Sequence, residues 1–234
     1  VGTIGKSHRT NDTSDMLMFN AEEAGIVVKF EKKDTPQKVN IKLFRQGPKD
    51  IRLNDTKISQ KELIGTLNTV IFCPEDLQLI KGTPSGRRRF LDMEISQTSA
   101  TYYHQLMQYN RLLQQRNAVL KEYRGKQNIP LEEWDLQLAD MASFIVKKRL
   151  ESLKKINLLI DLMNRKLTGG LENLTIGYEQ PYMDNGSLEY TKEGFYERIK
   201  AALPQDRHRM TTSVGPHRDD LRFFSDAMDL KKFG

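Results

Sequence analysis

The sequence predicts an α+β fold: a sheet-rich lobe into which a long antiparallel helical hairpin is inserted. Three observations predict it. Short runs with apolar residues at alternate positions occupy the first third of the 234-residue chain, the period of half-buried strands. Two long central stretches repeat apolar residues every three or four positions, the period of a helix with one buried face. Strand-like runs then return toward the C-terminus, and that order implies an insertion within one lobe.

Taken in order, residues 16–20, 25–32 and 39–45 read as strands, with Gly47 and Pro48 as a turn. Residues 50–54 continue the meander, and 58–64 read as a short helix. Residues 69–73 are apolar without alternation, the pattern of a strand buried on both faces. Pro74 followed by Glu75 and Asp76 suits a helix start, where the missing N–H costs nothing and carboxylates face the positive dipole end. Gly82, Thr83 and Pro84 break that helix, and another begins at Ser85. Tyr102, Leu106, Tyr109, Leu113, Leu120 and Tyr123 form the stripe of the first long helix, with a polar gap near Arg116 and Asn117. Gly125 and Pro130 bracket a loop. The second stripe runs from Trp134 through Leu138, Ile145, Leu153 and Met163 to Leu167, interrupted at Lys148 or Arg149. A short loop between two singly striped helices predicts an antiparallel pair packed along a shared seam. After Gly169 and Gly170, residues 174–179 and 220–224 read as strands, and a helix opens at Thr191. The expected divisions are residues 1–73, 74–170 and 171–234.

Hydrophobic residues make up 38% and charged residues 29% of the chain, a globular balance, and the formal net charge is +6. That surplus tilts the expected partner toward polyanions such as nucleic acid. Cys73 is the only cysteine, so a disulfide framework and a cysteine metal site are excluded. No apolar run approaches the roughly 20 residues that cross a bilayer, and the N-terminus lacks a signal-peptide pattern. The expected location is the cytoplasm.

Gly5-Lys6-Ser7 is not read as a phosphate loop, because the first glycine of such a loop would precede residue 1 and no apolar helix face follows. Arg87, Arg88 and Arg89 cannot share one helix face, since neighbours are about 100° apart. At most one or two of them can reach inward, to pair with carboxylates such as Asp92 or to hold phosphate, and the simpler reading is a solvated charge run with one internal Arg–Asp pair. His217 and Asp219, with Asp220, are metal-ligand types, but no further His or Cys stands nearby. A turn at Gly215 and Pro216, with Arg218 and the aspartates in salt links, is the simpler reading.

Together, Gly5-Lys-Ser-His-Arg-Thr10, Phe72-Cys-Pro-Glu-Asp-Leu77, Lys81-Gly-Thr-Pro-Ser-Gly-Arg-Arg-Arg-Phe-Leu-Asp92, Leu113-Gln-Gln-Arg-Asn117 and Ser213-Val-Gly-Pro-His-Arg-Asp-Asp-Leu221 resemble the RecF family of DNA replication and repair proteins, which are ABC- and SMC-like ATPases. The segments stand in that family's order and spacing. The resemblance implies an incomplete ABC-ATPase head lobe carrying a helical arm, without the Walker A loop, signature motif and Walker B strand. It implies ATP and Mg²⁺ in the full-length protein, which would form an ATP-dependent homodimer, but no cofactor and no ATP hydrolysis for this chain alone.

Other implications concern residues and partners. Ser7, His8 and Arg9 would couple nucleotide to DNA, and Glu75 and Asp76 would lie where related ATPases carry the Q-loop, although its glutamine is missing here. Gly215, Pro216, His217, Arg218, Asp219 and Asp220 would couple lobe position to nucleotide state. The implied partners are single-strand/double-strand DNA junctions, bound without sequence preference, and RecR, with RecO and the recombinase RecA downstream. Candidates for phosphate contacts are Arg9, Arg87, Arg88, Lys147, Lys148, Lys154 and Lys155, with the resemblance pointing to Arg9. Two readings of other classes stand beside this one: a protein-binding adaptor acting through the helices, and a metal-dependent nuclease using Glu75, Asp76, His217 and Asp219.

Overall fold

The computed structural model describes residues 12–70, 74–123, 130–182, 190–226 and 228–233. Two compact units emerge, one within residues 1–71 together with 96–100, the other within 72–95 together with 101–234.

The first unit is an antiparallel meander of β1 (Glu23–Lys32), β2 (Thr35–Phe44), β3 (Asp50–Leu53) and β4 (Thr56–Lys57), adjacent in that order. Lys32 pairs with Thr35 across a two-residue turn in which Lys33 and Asp34 have φ of 50° and 60°. Asn54 and Asp55, with φ of 47° and 66°, make the same turn between β3 and β4. Left-handed φ at both central residues gives the turn whose twist matches that of the strands, and Asn and Asp enter this region at low cost. Val39, Ile41 and Leu43 alternate into a small core with Ile51 and Leu63. The helix expected at 58–64 is one turn, α1 (Gln60–Leu63). It starts in a capping box, where the Glu62 carboxylate accepts the Ser59 backbone N–H at 2.7 Å and Ser59 Oγ accepts from the Glu62 N–H.

Two expectations fail in this unit. Residues 16–20 are not a strand: a single 3-10 turn covers Ser14–Met16, and Asn20 takes φ 64°. That left-handed residue turns the chain before β1 and leaves Met18 and Phe19 exposed. In the expected buried strand at 69–73, Val70 is 98% exposed, and residues 71–73 lie outside the described residues.

The second unit contains α2 (Gln78–Lys81), all of α3 (Pro84–Thr98) but its last turn, α4 (Ala100–Glu122) from Thr101 onward, α5 (Glu132–Thr168), β5 (Leu174–Glu179), α6 (Lys192–Ala201), α7 (Leu203–Arg209), β6 (Asp220–Ser225), β7 (Met228–Asp229) and α8 (Leu230–Phe233). β5, β6 and β7 form an antiparallel sheet in that order. Thr191 caps α6, its Oγ1 accepting the Gly194 N–H at 3.1 Å. α5 ends at Gly169, whose φ of 67° favours glycine.

The two long helices are joined by side-chain contacts. Arg149 of α5 meets Tyr102 of α4 near one end, and Arg116 of α4 meets Asp135 of α5 near the other. The two contacts fix an antiparallel direction and a register. In that register α4 begins about level with Leu150, so the last turns of α5 run past it. The single seam expected along the whole of α5 therefore stops short. Leu138, Ile145 and Leu153 are buried, but Leu158, Leu162, Met163 and Leu167 are exposed. The most extensive neighbours of α5 are α6 and β5. Asn157 fastens β5 to it, donating to the Ile176 carbonyl at 2.9 Å and accepting the Ile176 N–H at 2.7 Å.

The alternation along β2 yields a stability prediction. Ile41→Ala removes a fully buried side chain from the small core and is expected to cost about 2–5 kcal/mol. Val27→Ala, on the exposed side of β1, is expected to cost less than about 1 kcal/mol. Urea unfolding of both variants checks the pair, and equal losses would contradict the assigned face.

Candidate functional site

In the second unit the segment 211–219 is irregular, yet side chains of α3, α4 and α5 hold it at Thr212, Pro216, His217 and Asp219, and Asp206 of α7 holds it at Ser213. Two arginines do most of this. Arg149, 2% exposed, forks onto Asp92 of α3 with two bonds of 2.9 Å. It also donates to the Pro216 carbonyl at 2.7 Å and stands 3.5 Å from the Asp219 carboxylate. The buried Asp219 carboxylate accepts from the hydroxyls of Tyr178 and Tyr182 as well. Arg116, fully buried, binds Asp135 and Asp206 at 2.6 Å each and the Thr212 hydroxyl at 2.9 Å.

Around Arg116 the backbone of the segment is held by side chains. Asn117 Oδ1 accepts the N–H and the hydroxyl of Thr212, both at 2.8 Å. Asp206 Oδ1 accepts the Ser213 N–H at 2.9 Å. A carboxylate and an amide thus replace the ladder partners that an irregular buried segment lacks.

Gly215 sits at φ 131°, and a Cβ there would collide with the Tyr109 hydroxyl. That hydroxyl meets His217 Nδ1 at 2.6 Å, while His217 Nε2 lies 3.0 Å from the Thr212 carbonyl. Only the neutral ring protonated on Nε2 donates to that carbonyl while accepting from Tyr109. Burial pushes the imidazole down to about 4, the neighbouring Arg218, Arg88 and Arg149 adding to the effect. Burial pushes the Asp219 carboxyl up to about 6, against the pull of Arg149 and the two tyrosine hydroxyls. It also raises the phenols of Tyr109, Tyr178 and Tyr182, which stay protonated and serve as donors.

Ser7, His8 and Arg9 lie outside the described residues. Glu75 and Asp76 fall in a single 3-10 turn over Pro74–Leu77, where Asp76 is exposed. Arg87 is 1% exposed and forks onto Asp220 with two bonds of 2.8 Å. It is therefore spent internally and not presented to phosphate, which corrects its candidacy as a DNA contact. Its carboxylate is Asp220, because Asp92 is taken by Arg149. Arg88 is half-buried and donates to the Asp219 carbonyl at 2.7 Å. Lys147, Lys154 and Lys155 are exposed on α5, and Lys148 pairs with Glu151 at 2.7 Å. Gly215, Pro216, His217, Asp219 and Asp220 gather at the fastened segment, and Arg218 lies at its surface. Among the described residues no three His, Cys, Asp or Glu come together as a metal set.

Sequence reasoning missed Arg116, Arg149, Asp135 and Asp206 as a set. The signal was present as the two interruptions of the helical stripes.

Removing one partner of a buried ion pair leaves an uncompensated charge and costs about 3–5 kcal/mol. Arg149→Met, which strands Asp92 and Asp219, is expected to lose that much in chemical denaturation, whereas Lys147→Met is expected to change stability by less than about 0.5 kcal/mol. A loss near zero for Arg149→Met would contradict the assignment.

His217 gives a pH prediction. An imidazole held neutral in the fold binds its proton in the unfolded chain first. Its contribution is therefore complete above pH 6.5 and is lost as pH falls toward 4. The stability gap between the native chain and His217→Gln is expected to shrink by about 2–3 kcal/mol over that interval. A gap independent of pH would contradict a neutral buried ring.

No family model matches the chain. Among curated proteins, the DNA replication and repair protein RecF of Clostridium botulinum (strain Eklund 17B / Type B) is 41% identical over 232 residues, covering 99% of this chain and 63% of the relative. RecF of Alkaliphilus oremlandii (strain OhILAs) is 40% identical over 235 residues, covering 99% and 64%. Two solved structures of the recombination mediator protein RecF in the RecFOR pathway superpose closely. One, with ATP, has a TM-score of 0.89 at 30% identity over 99% of this chain and 64% of its own. The other, RecF-ATPrS, has a TM-score of 0.88 at 29% identity over 98% and 63%. In sequence and in fold the chain is RecF-like from one end to the other, and it spans a little under two thirds of the length of the RecF proteins it matches.

Proposed function

We propose that this chain is the DNA-binding part of a RecF-type recombination mediator, which recognises single-strand/double-strand junctions at gaps and acts with RecO and RecR to load RecA. The observation that carries the proposal is the match to RecF across 99% of the chain in both sequence and fold. The surplus of positive charge, +6 in total, fits a polyanionic partner, and exposed Lys147, Lys154 and Lys155 on α5 offer phosphate contacts. Such contacts carry affinity without sequence preference.

ATP belongs to this proposal only through the whole protein, and the solved relatives are RecF with ATP and RecF-ATPrS. The described residues contain no glycine-rich loop between a strand and a helix N-terminus, so they do not by themselves fit a triphosphate. The segment 211–219 is the element proposed to transmit lobe movement, because it is fastened to α3, α4 and α5 together and so moves only with them.

A protein-binding adaptor is the second reading, and the exposed apolar residues Leu158, Leu162, Met163 and Leu167 at the end of α5 favour it.

Binding of gapped duplex DNA across a salt series separates the two. The DNA-binding reading predicts a Kd that weakens with salt, with a log–log slope of about 0.9 for each phosphate neutralised. Absent binding at low salt, or affinity flat with salt, would overturn it and leave the adaptor reading.

A further inference from the structure

The second unit holds an open cavity of about 660 Å³ between α6, the end of α7 and the segment 213–218. Its wall carries three arginines from three different elements: Arg198 of α6, Arg209 at the end of α7, and Arg218. Tyr182, Gln205 and Ser213 add polar groups, and among the described residues Glu197 is the one acidic residue that lines it.

These arginines differ from those of the interior. Arg87, Arg116 and Arg149 each meet a carboxylate within 3 Å. Among the described residues Arg198, Arg209 and Arg218 meet none. Arg198 donates to the Tyr182 carbonyl. Arg218 donates to the Thr212 carbonyl at 3.0 and 2.7 Å and to the Thr211 hydroxyl at 3.2 Å. Carbonyl oxygens orient a guanidinium without cancelling its charge. A guanidinium has five N–H donors, so each of these keeps donors for an acceptor in the cavity. Three like charges converging from separate elements repel one another, and an anion between them removes that cost. The planar fork of a guanidinium matches phosphate oxygens in particular.

We propose that this cavity is a phosphate-binding subsite that takes backbone phosphates of a nucleic-acid strand. The identity of the polymer rests on the DNA-binding reading above; the phosphate site itself does not. The open, solvent-facing wall suits a strand passing across it, while a free phosphate or pyrophosphate would use the same donors.

The test uses the chain with Arg209→Gln and with Arg198→Gln/Arg209→Gln. Arg209 is exposed, so its single variant keeps the fold, and Arg218 is left in place because it also holds Thr212. Anisotropy with labelled single-stranded and gapped DNA is expected to show Kd rising about threefold for the single and about tenfold for the double variant. The salt slope should fall by roughly one for each arginine removed. Tight DNA binding by the native chain with affinity and slope unchanged in both variants would overturn the subsite. If the native chain binds no DNA, the reading under Proposed function fails by itself, and pyrophosphate then decides the site. A rise in Tm with pyrophosphate that Arg209→Gln abolishes keeps a small-anion site, and no rise overturns it.

Discussion

Two guanidinium groups, on Arg116 and Arg149, occupy places on the apolar stripes of two long helices where leucines would ordinarily stand, and the second unit places carboxylates against both. Each is buried and each meets two carboxylates from different parts of the chain: Asp135 and Asp206 for one, Asp92 and Asp219 for the other. A buried charge is tolerated only when its partners are placed to match it. The positions of α3, α4, α5 and the segment before β6 therefore follow from one another. Shifting any one of them by a turn strands an ion.

This polar core does what an apolar core cannot do for an irregular segment. Residues 211–219 have no strand or helix to satisfy their backbone groups, and they are buried or half-buried along most of their length. Their N–H and carbonyl groups go instead to Asn117, Asp206, Arg149 and His217. Gly215 is there because its backbone conformation and the Tyr109 hydroxyl leave no room for a side chain. The result is a loop whose backbone groups bond to core side chains. On its surface Arg218 faces the cavity that also receives Arg198 and Arg209.

Much of the architecture is legible in the sequence, for identifiable reasons. The alternation of Val39, Ile41 and Leu43 marks β2, and the Thr191 cap and Gly169 stop mark helix ends to within a residue or two. What periodicity hides is register. The long stripe on α5 is real, but nothing in its spacing says that α4 begins level with Leu150, so the exposure of Leu162 and Leu167 is not readable from it. The apolar run at residues 16–20 fails as a strand because Asn20 turns the chain, a local backbone preference that outweighs hydrophobicity. At the site, the stretch from Gly215 to Asp220 stands out in the sequence only through its resemblance to RecF, since no periodicity marks it. The role of Arg116 and Arg149 is not, because an interruption in a stripe has the same appearance whether the residue faces solvent or anchors the core. Arg87 shows the converse: its place in a charge run suggests a surface contact, and Asp220 draws it inside.

The most direct test of the account is native-state hydrogen exchange at the Thr212 and Ser213 amides, which donate to side chains and belong to no helix or strand. If the buried Arg116 fixes this segment, both amides exchange as slowly as those of α5 in the native chain. In Arg116→Met they then exchange like an exposed loop, while the α5 amides remain protected. Fast exchange in the native chain, or unchanged protection in Arg116→Met, would contradict the claim that the buried arginines hold the segment in place.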